Sequence, residues 1–325
     1  MFLVGTVLHS HYIRLNTTPT LTYLRTSLQT SLQIHPKQKA NGKMTSLRGG
    51  VKLTSMKKLS LYVFLVLMFC NFGFAQNYEV ISKNPNKIKR GAFGGANKTK
   101  VKGKHTYNII KDPTGNAPTK LVERFELRGR EDCANTRHGT GYHYTTDCMS
   151  GRTRIEITQN RKHHINKTRL KKKDKEMWYG WYIYFPKDYV SMDKLSPYLG
   201  QFLQKKFGGS SGPFPSCAEV REKLVCKGEI LVSEKDLRGK WHKIEFNILW
   251  SIKNSGFVKI YYNDELKISD TNFSTLFSDK VMFKYGIYRV KDWVVNYGSD
   301  FVLQKQVVYY SGVRVSSTRE GLKIK

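Results

Sequence analysis

The stretch Val281-Met-Phe-Lys-Tyr-Gly-Ile-Tyr-Arg289 alternates with a period of two. In an extended chain Phe283, Tyr285 and Ile287 share one face, and Lys284, Gly286 and Tyr288 share the other. The first face reads as core, because aromatic and β-branched side chains suit a half-buried pleated surface. The second face is chemically distinctive. It sets an ammonium and a phenol about 13–14 Å apart at Cα, at roughly 3.4 Å per residue. The glycine between them removes a side chain where a ligand could approach. A surface lysine and a surface tyrosine flanking a glycine kink is the plainer reading of the same residues.

The same period recurs on both sides of this stretch. Strands are expected at Leu121–Leu127, Thr153–Thr158, Trp178–Phe185, Leu199–Gln204, His242–Trp250, Phe257–Tyr262 and Phe301–Val315. Asn263-Asp264, between Val258–Tyr262 and Glu265–Ile268, marks a hairpin. Residues from Gly208 to Pro215 read as a Gly/Ser/Pro loop, and Arg169–Lys173 as an exposed basic loop. No long helical pattern appears. Many strands without alternating helices predict an all-β, concanavalin-like jelly-roll β-sandwich.

The N-terminal region carries an export signal. Met56-Lys-Lys58 opens a basic segment, Leu59–Phe69 is apolar, and Ala75 ends a small-residue site. Residues 56–75 therefore read as a signal peptide, and residues 1–55 as an upstream extension that is not translated. The protein is expected to be secreted or periplasmic, without a transmembrane span. Residues 76–104 read as a loosely packed arm and 105–325 as one domain. The whole chain carries a formal charge of +31. Residues 1–75 hold Lys and Arg but no acid, so about +22 remains after export. Such a charge attracts polyanions. For an exported protein these are acidic polysaccharides before nucleic acid. Of the cysteines outside the signal peptide, Cys133, Cys148, Cys217 and Cys226 permit three pairings. Cys133–Cys148 and Cys217–Cys226 are preferred because each closes a short loop, and neither pair has zinc-knuckle spacing.

Two further strands carry polar faces. Arg152, Arg154 and Glu156 line up on one side of theirs, a guanidinium fork suited to a carboxylate with an acid beside it. A solvated ion pair is the alternative. Gln201 shares a face with Leu203. Trp178, Tyr182 and Tyr184 alternate opposite the core residues Tyr179, Trp181, Ile183 and Phe185. They form either a sugar-stacking platform or a packing surface under a loop.

Taken in order, R-x-R-x-E at 152–156, W-Y-G-W-Y-I-Y-F-P at 178–186, Q-F-x-Q at 201–204, W-H-x-I-E-F at 241–246 and F-K-Y-G-I-Y-R at 283–289 resemble the jelly-roll polysaccharide lyases. The heparin lyase I-like group, with related alginate and glucuronan lyases, is the nearest in pattern. The segments holding Cys133 and Cys148 resemble one branch of that group.

The resemblance implies β-elimination at a uronic acid. Tyr288 would be acid and base, Arg154 and Gln201 would neutralise the uronate carboxylate, and Lys284 would complete the set. Cations such as Lys284 and Arg154 would favour the phenolate of Tyr288. Arg152, Glu156, Tyr182, Arg289 and the loop histidines His138 and His143 are the expected substrate contacts. Leu203 departs from the pattern, because the family commonly has histidine there. Tyr288 acting alone, rescue by His138 or His143, or loss of catalysis with retention of binding are the three ways to read it. No cofactor is expected. A structural calcium, sometimes present in the family, has no acidic loop to support it. The expected partner is a uronate-containing polysaccharide, met by a monomer, with no specific nucleic acid.

Overall fold

A computed structural model describes residues 78–94, 104–128, 152–192, 195–206, 212–289 and 303–324. The chain divides into two units, 1–72 and 73–325, and all of these residues belong to the second. The expected signal peptide and the Cys133–Cys148 pair lie outside the described residues.

Among the described residues, fourteen strands form two antiparallel sheets. The first runs β1 (Tyr107–Lys111), β2 (Leu121–Leu127), β14 (Gln306–Ser316), β5 (Lys175–Tyr184), β10 (Trp241–Trp250), β11 (Gly256–Tyr262) and β12 (Glu265–Phe273). The second runs β3 (Thr153–Thr158), β13 (Lys280–Arg289), β6 (Tyr198–Lys205), β7 (Gly212–Val220), β8 (Lys223–Cys226) and β9 (Glu229–Val232). The two-residue β4 (Ile165–Asn166) pairs with the start of β13, beyond the end of β3. This is the all-β jelly-roll sandwich that the alternating pattern predicts.

Aromatic rings join the two inner faces. Trp181 lies 5.3 Å from Phe283, Phe202 lies 5.7 Å from Trp250, and Phe125 lies 5.7 Å from Tyr285, centroid to centroid. All six rings are at most 1% exposed. At about 25 cal/mol per Å² over roughly 150–250 Å² each, burial contributes about 4–6 kcal/mol per ring before conformational entropy is subtracted. Gly200 makes room for this layer, since a Cβ there would sit 2.8 Å from Trp181 Cζ2.

The Asn263-Asp264 turn joins β11 to β12 with both residues at positive φ, 47° and 71°, as a two-residue hairpin of type I′ requires. Cys217 and Cys226 face each other across β7 and β8 and are disulfide-bonded.

Two expectations are corrected. Residues 212–215 are strand rather than loop. Pro213 and Pro215 lie where β7 pairs with β6 alone, before its pairing with β8 begins at Cys217, and next to a register shift opposite Gln201 and Leu203 where the ladder is irregular. Nor are residues 78–94 a loose arm. Val80 bridges Ser316, Ile81 N donates to Val315 O at 2.9 Å, and Ile88, Ala92 and Phe93 are buried. Ala92 N donates to Tyr285 Oη at 3.0 Å. Tyr285 in turn donates to Glu123 at 2.8 Å, and Tyr107 donates to the same carboxylate at 2.7 Å.

Burial pushes the Glu123 carboxyl up to about 7, against the hydrogen bonds that favour its charged form. Because this value lies above that of the unfolded chain, the stabilisation is complete below about pH 4.5 and is lost as pH rises through about 7. Denaturant titrations of the unaltered protein and Glu123→Gln across this window should diverge by on the order of 3 kcal/mol. The unaltered protein should weaken as pH rises relative to the variant. Parallel pH profiles would contradict the assignment.

Candidate active site

The outer face of the second sheet gathers the polar residues of β3, β13 and β6 into three rows. Register sets Arg154 opposite Tyr288 and Tyr288 opposite Tyr198, Glu156 opposite Gly286, and Thr158 opposite Lys284 and Lys284 opposite Gln201. The next row holds Met282 and Leu203. Strand alternation places the inner-face residues Ile155, Ile157, Phe202, Phe283, Tyr285 and Ile287 in the core directly beneath.

Glu156 is the centre of this group. Its carboxylate, 4% exposed, accepts Lys284 Nζ at 2.6 Å and the Nε2 amide of Gln201, and lies 3.9 Å from Arg154 Nη1. A carboxylate so far out of water is tolerable only because cations and an amide surround it. Among the described residues, two cations, Lys284 and Arg154, meet this one carboxylate. The Arg154 guanidinium also lies over the Tyr288 ring, Cζ 4.6 Å from its centroid. Tyr198 stacks against the same ring at 6.0 Å with planes 28° apart. Tyr288 is therefore held laterally by a cation from β3 and by an aromatic ring from β6.

The reason for Gly286 differs from the expected one. It adopts φ +130°, and a Cβ there would collide with Ile155 O and lie 2.9 Å from Glu156 Cα. The backbone of β3 occupies the space, so glycine is required by strand packing. It sits at a register shift between β13 and β6, between Tyr285 and Tyr288, where a bulge re-aims the following side chains. Tyr288 meets Tyr198 across that irregularity.

Arg154, Glu156, Gln201, Lys284 and Tyr288 come together on this face. Arg152 precedes β3, and its Nε is buried without a hydrogen-bond partner among the described residues. Two expected contacts are displaced. Arg289 is fully buried. It is clamped by Gln306 Oε1 at 3.0 Å and by the carbonyls of Arg128, Leu127 and Gln304, so it ties β13 to β2 and β14 and cannot meet a ligand. Tyr182 lies on the outer face of the first sheet, opposite Lys243 and Ser311. On that face Trp178 packs against Tyr261 and Tyr184 against Trp241.

His138 and His143 lie outside the described residues. Among the described histidines, His242 is buried and bonded to Leu237 O at 2.8 Å, and burial holds it below its usual range. His164 is bonded to Gln159 O at 2.9 Å. Tyr198 is the residue that sequence reading missed. It stands just after Pro197, outside the alternating part of its strand, and only the register with β13 reveals its role.

Glu156→Gln leaves the Lys284 ammonium buried beside a neutral amide, at an expected cost of about 3–5 kcal/mol. A companion Glu156→Leu/Lys284→Met variant, which removes both charges, should recover most of that loss in denaturant melts. Failure to recover it would mean that Glu156 stabilises the fold by packing rather than by charge. Gly286→Ala should destabilise by about 3 kcal/mol or more.

The profile described as polysaccharide lyase matches residues 88–314, which includes every strand that carries the site. No curated protein matches the chain. Solved structures of similar fold include an endo-β-1,4-glucuronan lyase from the fungus Trichoderma reesei, at 16% identity over 76% of this chain and 97% of that one, TM-score 0.48. A GH131 β-glucanase catalytic domain from Podospora anserina aligns at 10% identity over 67% and 82%, TM-score 0.44. The family 7 alginate lyase A1-II′ aligns at 12% identity over 73% and 91%, TM-score 0.42. These likenesses concern the fold alone. The profile spans most of the chain, and the protein belongs to the polysaccharide lyase family.

Proposed function

We propose that the protein is an exported lyase that cleaves a uronate-containing polysaccharide by β-elimination at the Arg154–Tyr288 group. The observation that carries this reading is the Arg154 guanidinium held 4.6 Å over the Tyr288 ring, beside the Glu156–Lys284 pair. A uronate carboxylate set against Arg154, with Gln201 close by, has its charge neutralised. The carbanion character that develops at C5 is then tolerated. The Tyr288 oxygen takes the C5 proton as phenolate, a form that a neighbouring cation favours. The electrons of the C5–H bond become the C4–C5 double bond, and the bond from C4 to the glycosidic oxygen breaks. The phenol then returns its proton to that oxygen, which completes the step without water. Lys284, tied to Glu156, keeps the pocket cationic.

Tyr288→Phe should lower the rate of double-bond formation by about 10³-fold, followed as ultraviolet absorbance on glucuronan, alginate, heparin, heparan and chondroitin. The same variant should still be retained on the best substrate immobilised on a column. Retained activity would remove Tyr288 from the mechanism. Leu203, opposite Met282 where a histidine is common in the family, favours a second reading, a non-catalytic polysaccharide binder. That reading requires column retention with no double-bond signal from the unaltered protein. Export is supported by the signal-like segment 56–75, and N-terminal sequencing of the exported chain should begin at Gln76. A start upstream of Met56 would contradict the segment's role.

A further inference from the structure

A second concentration of positive charge lies away from the Arg154–Tyr288 group. A cavity of about 120 Å³ opens between the N-terminal segment, the β4 region and the start of β5. Its apolar wall includes Ile165, Leu170 and Met177, all buried. Lys162, Arg169, Lys173 and Lys175 line the rest, with Glu79 as the single carboxylate among the lining residues. Glu79 lies 3.7 Å from Lys175. Lys162, Arg169 and Lys173 have no ion-pair partner among the described residues. The one acid within the run, Asp174, accepts a hydrogen bond from Ser255 at 2.6 Å.

The surroundings fix the shape of this cluster. Asn166 Oδ1 accepts from Arg169 N at 3.0 Å and starts a one-turn helix, Lys167–Leu170. Leu170 then plugs into the core. The basic run that the sequence shows as a loop is thereby anchored at one end and presents its charges around a cavity. Half-buried His163 sits among Lys162, Lys175 and Glu79, and burial with Lys162 holds it below its usual range. It therefore offers an N–H rather than a charge.

Like charges gathered this closely repel, and an anion among them relieves the repulsion. The cavity has room for an oxyanion substituent of a saccharide. We infer that this cavity is an accessory site for a single carboxylate or sulfate ester of an anionic polysaccharide, held by Arg169, Lys173 and Lys162. The inference rests on the proposed polyanionic substrate but not on its cleavage. β4 meets β13 at Lys280, and Lys284 lies about 14 Å further along that strand at ~3.4 Å per residue. A polymer of several sugar units is long enough to run from that end of β13 to Lys284.

The test uses the full protein and an Arg169→Ser/Lys173→Ser variant, with Lys120→Ser/Lys235→Ser as a control of equal charge. Two polymers are needed, one uronan without sulfate and one sulfated. The Arg169/Lys173 variant should raise KM for long polymer by about 10-fold with kcat unchanged. It should leave turnover of a short oligosaccharide untouched and elute from each polymer column at lower salt than the control. A shift with both polymers assigns the site to carboxylate, and a shift with the sulfated polymer alone assigns it to sulfate. Elution identical to the control overturns the inference. Column elution remains decisive even if no polymer is cleaved, so a failure of the lyase reading stays separable from a failure of this one.

Discussion

A single carboxylate organises the outer face of the second sheet. Glu156 reaches Lys284 on β13 and Gln201 on β6, and approaches Arg154 two residues away on β3. Desolvating three charges is costly, and in such clusters the attraction does little more than offset it. What the arrangement supplies is fixed geometry. Each partner comes from a different strand, so the side chains are positioned only when β3, β13 and β6 are in register. The register in turn depends on the aromatic layer beneath them, where Phe283 packs on Trp181 and Phe202 packs on Trp250. Core and site are opposite faces of the same strands.

Much of this was legible in the sequence because the side-chain period of a strand is two. Once Val281–Tyr288 is read as extended, Lys284 and Tyr288 must share a face. The same holds for Arg154 with Glu156. The hairpin at Asn263-Asp264 was equally readable, since few residue types accept positive φ. Pairing across strands was not readable. That Arg154 stands opposite Tyr288 follows from the unbroken register of β3 on β13, and that Tyr198 stacks on it follows from the register shift between β13 and β6 at Gly286. The need for glycine at 286 is not readable either, because a sequence does not show that the β3 backbone crowds it.

The misread residues share a cause. Arg289 follows the motif directly and carries a charge, but the alternation that turns Tyr288 outward turns Arg289 inward, onto carbonyl groups of the core. Tyr182 belongs to an aromatic strand of the opposite sheet, and nothing local distinguishes its outer face from the one that bears the site. Pro213 and Pro215 argued against a strand, yet they sit where β7 has a neighbour on one side only. In each case tertiary context outweighed a sound local rule.

In the proposed reaction a cation-flanked tyrosine of this polysaccharide lyase family member carries out elimination. The most direct test is the mass of the products. A defined uronate oligosaccharide cleaved by the protein should yield two fragments whose masses sum to that of the parent, with the unsaturated sugar at the new non-reducing end. Fragments that together carry one added water would identify hydrolysis and contradict the central claim.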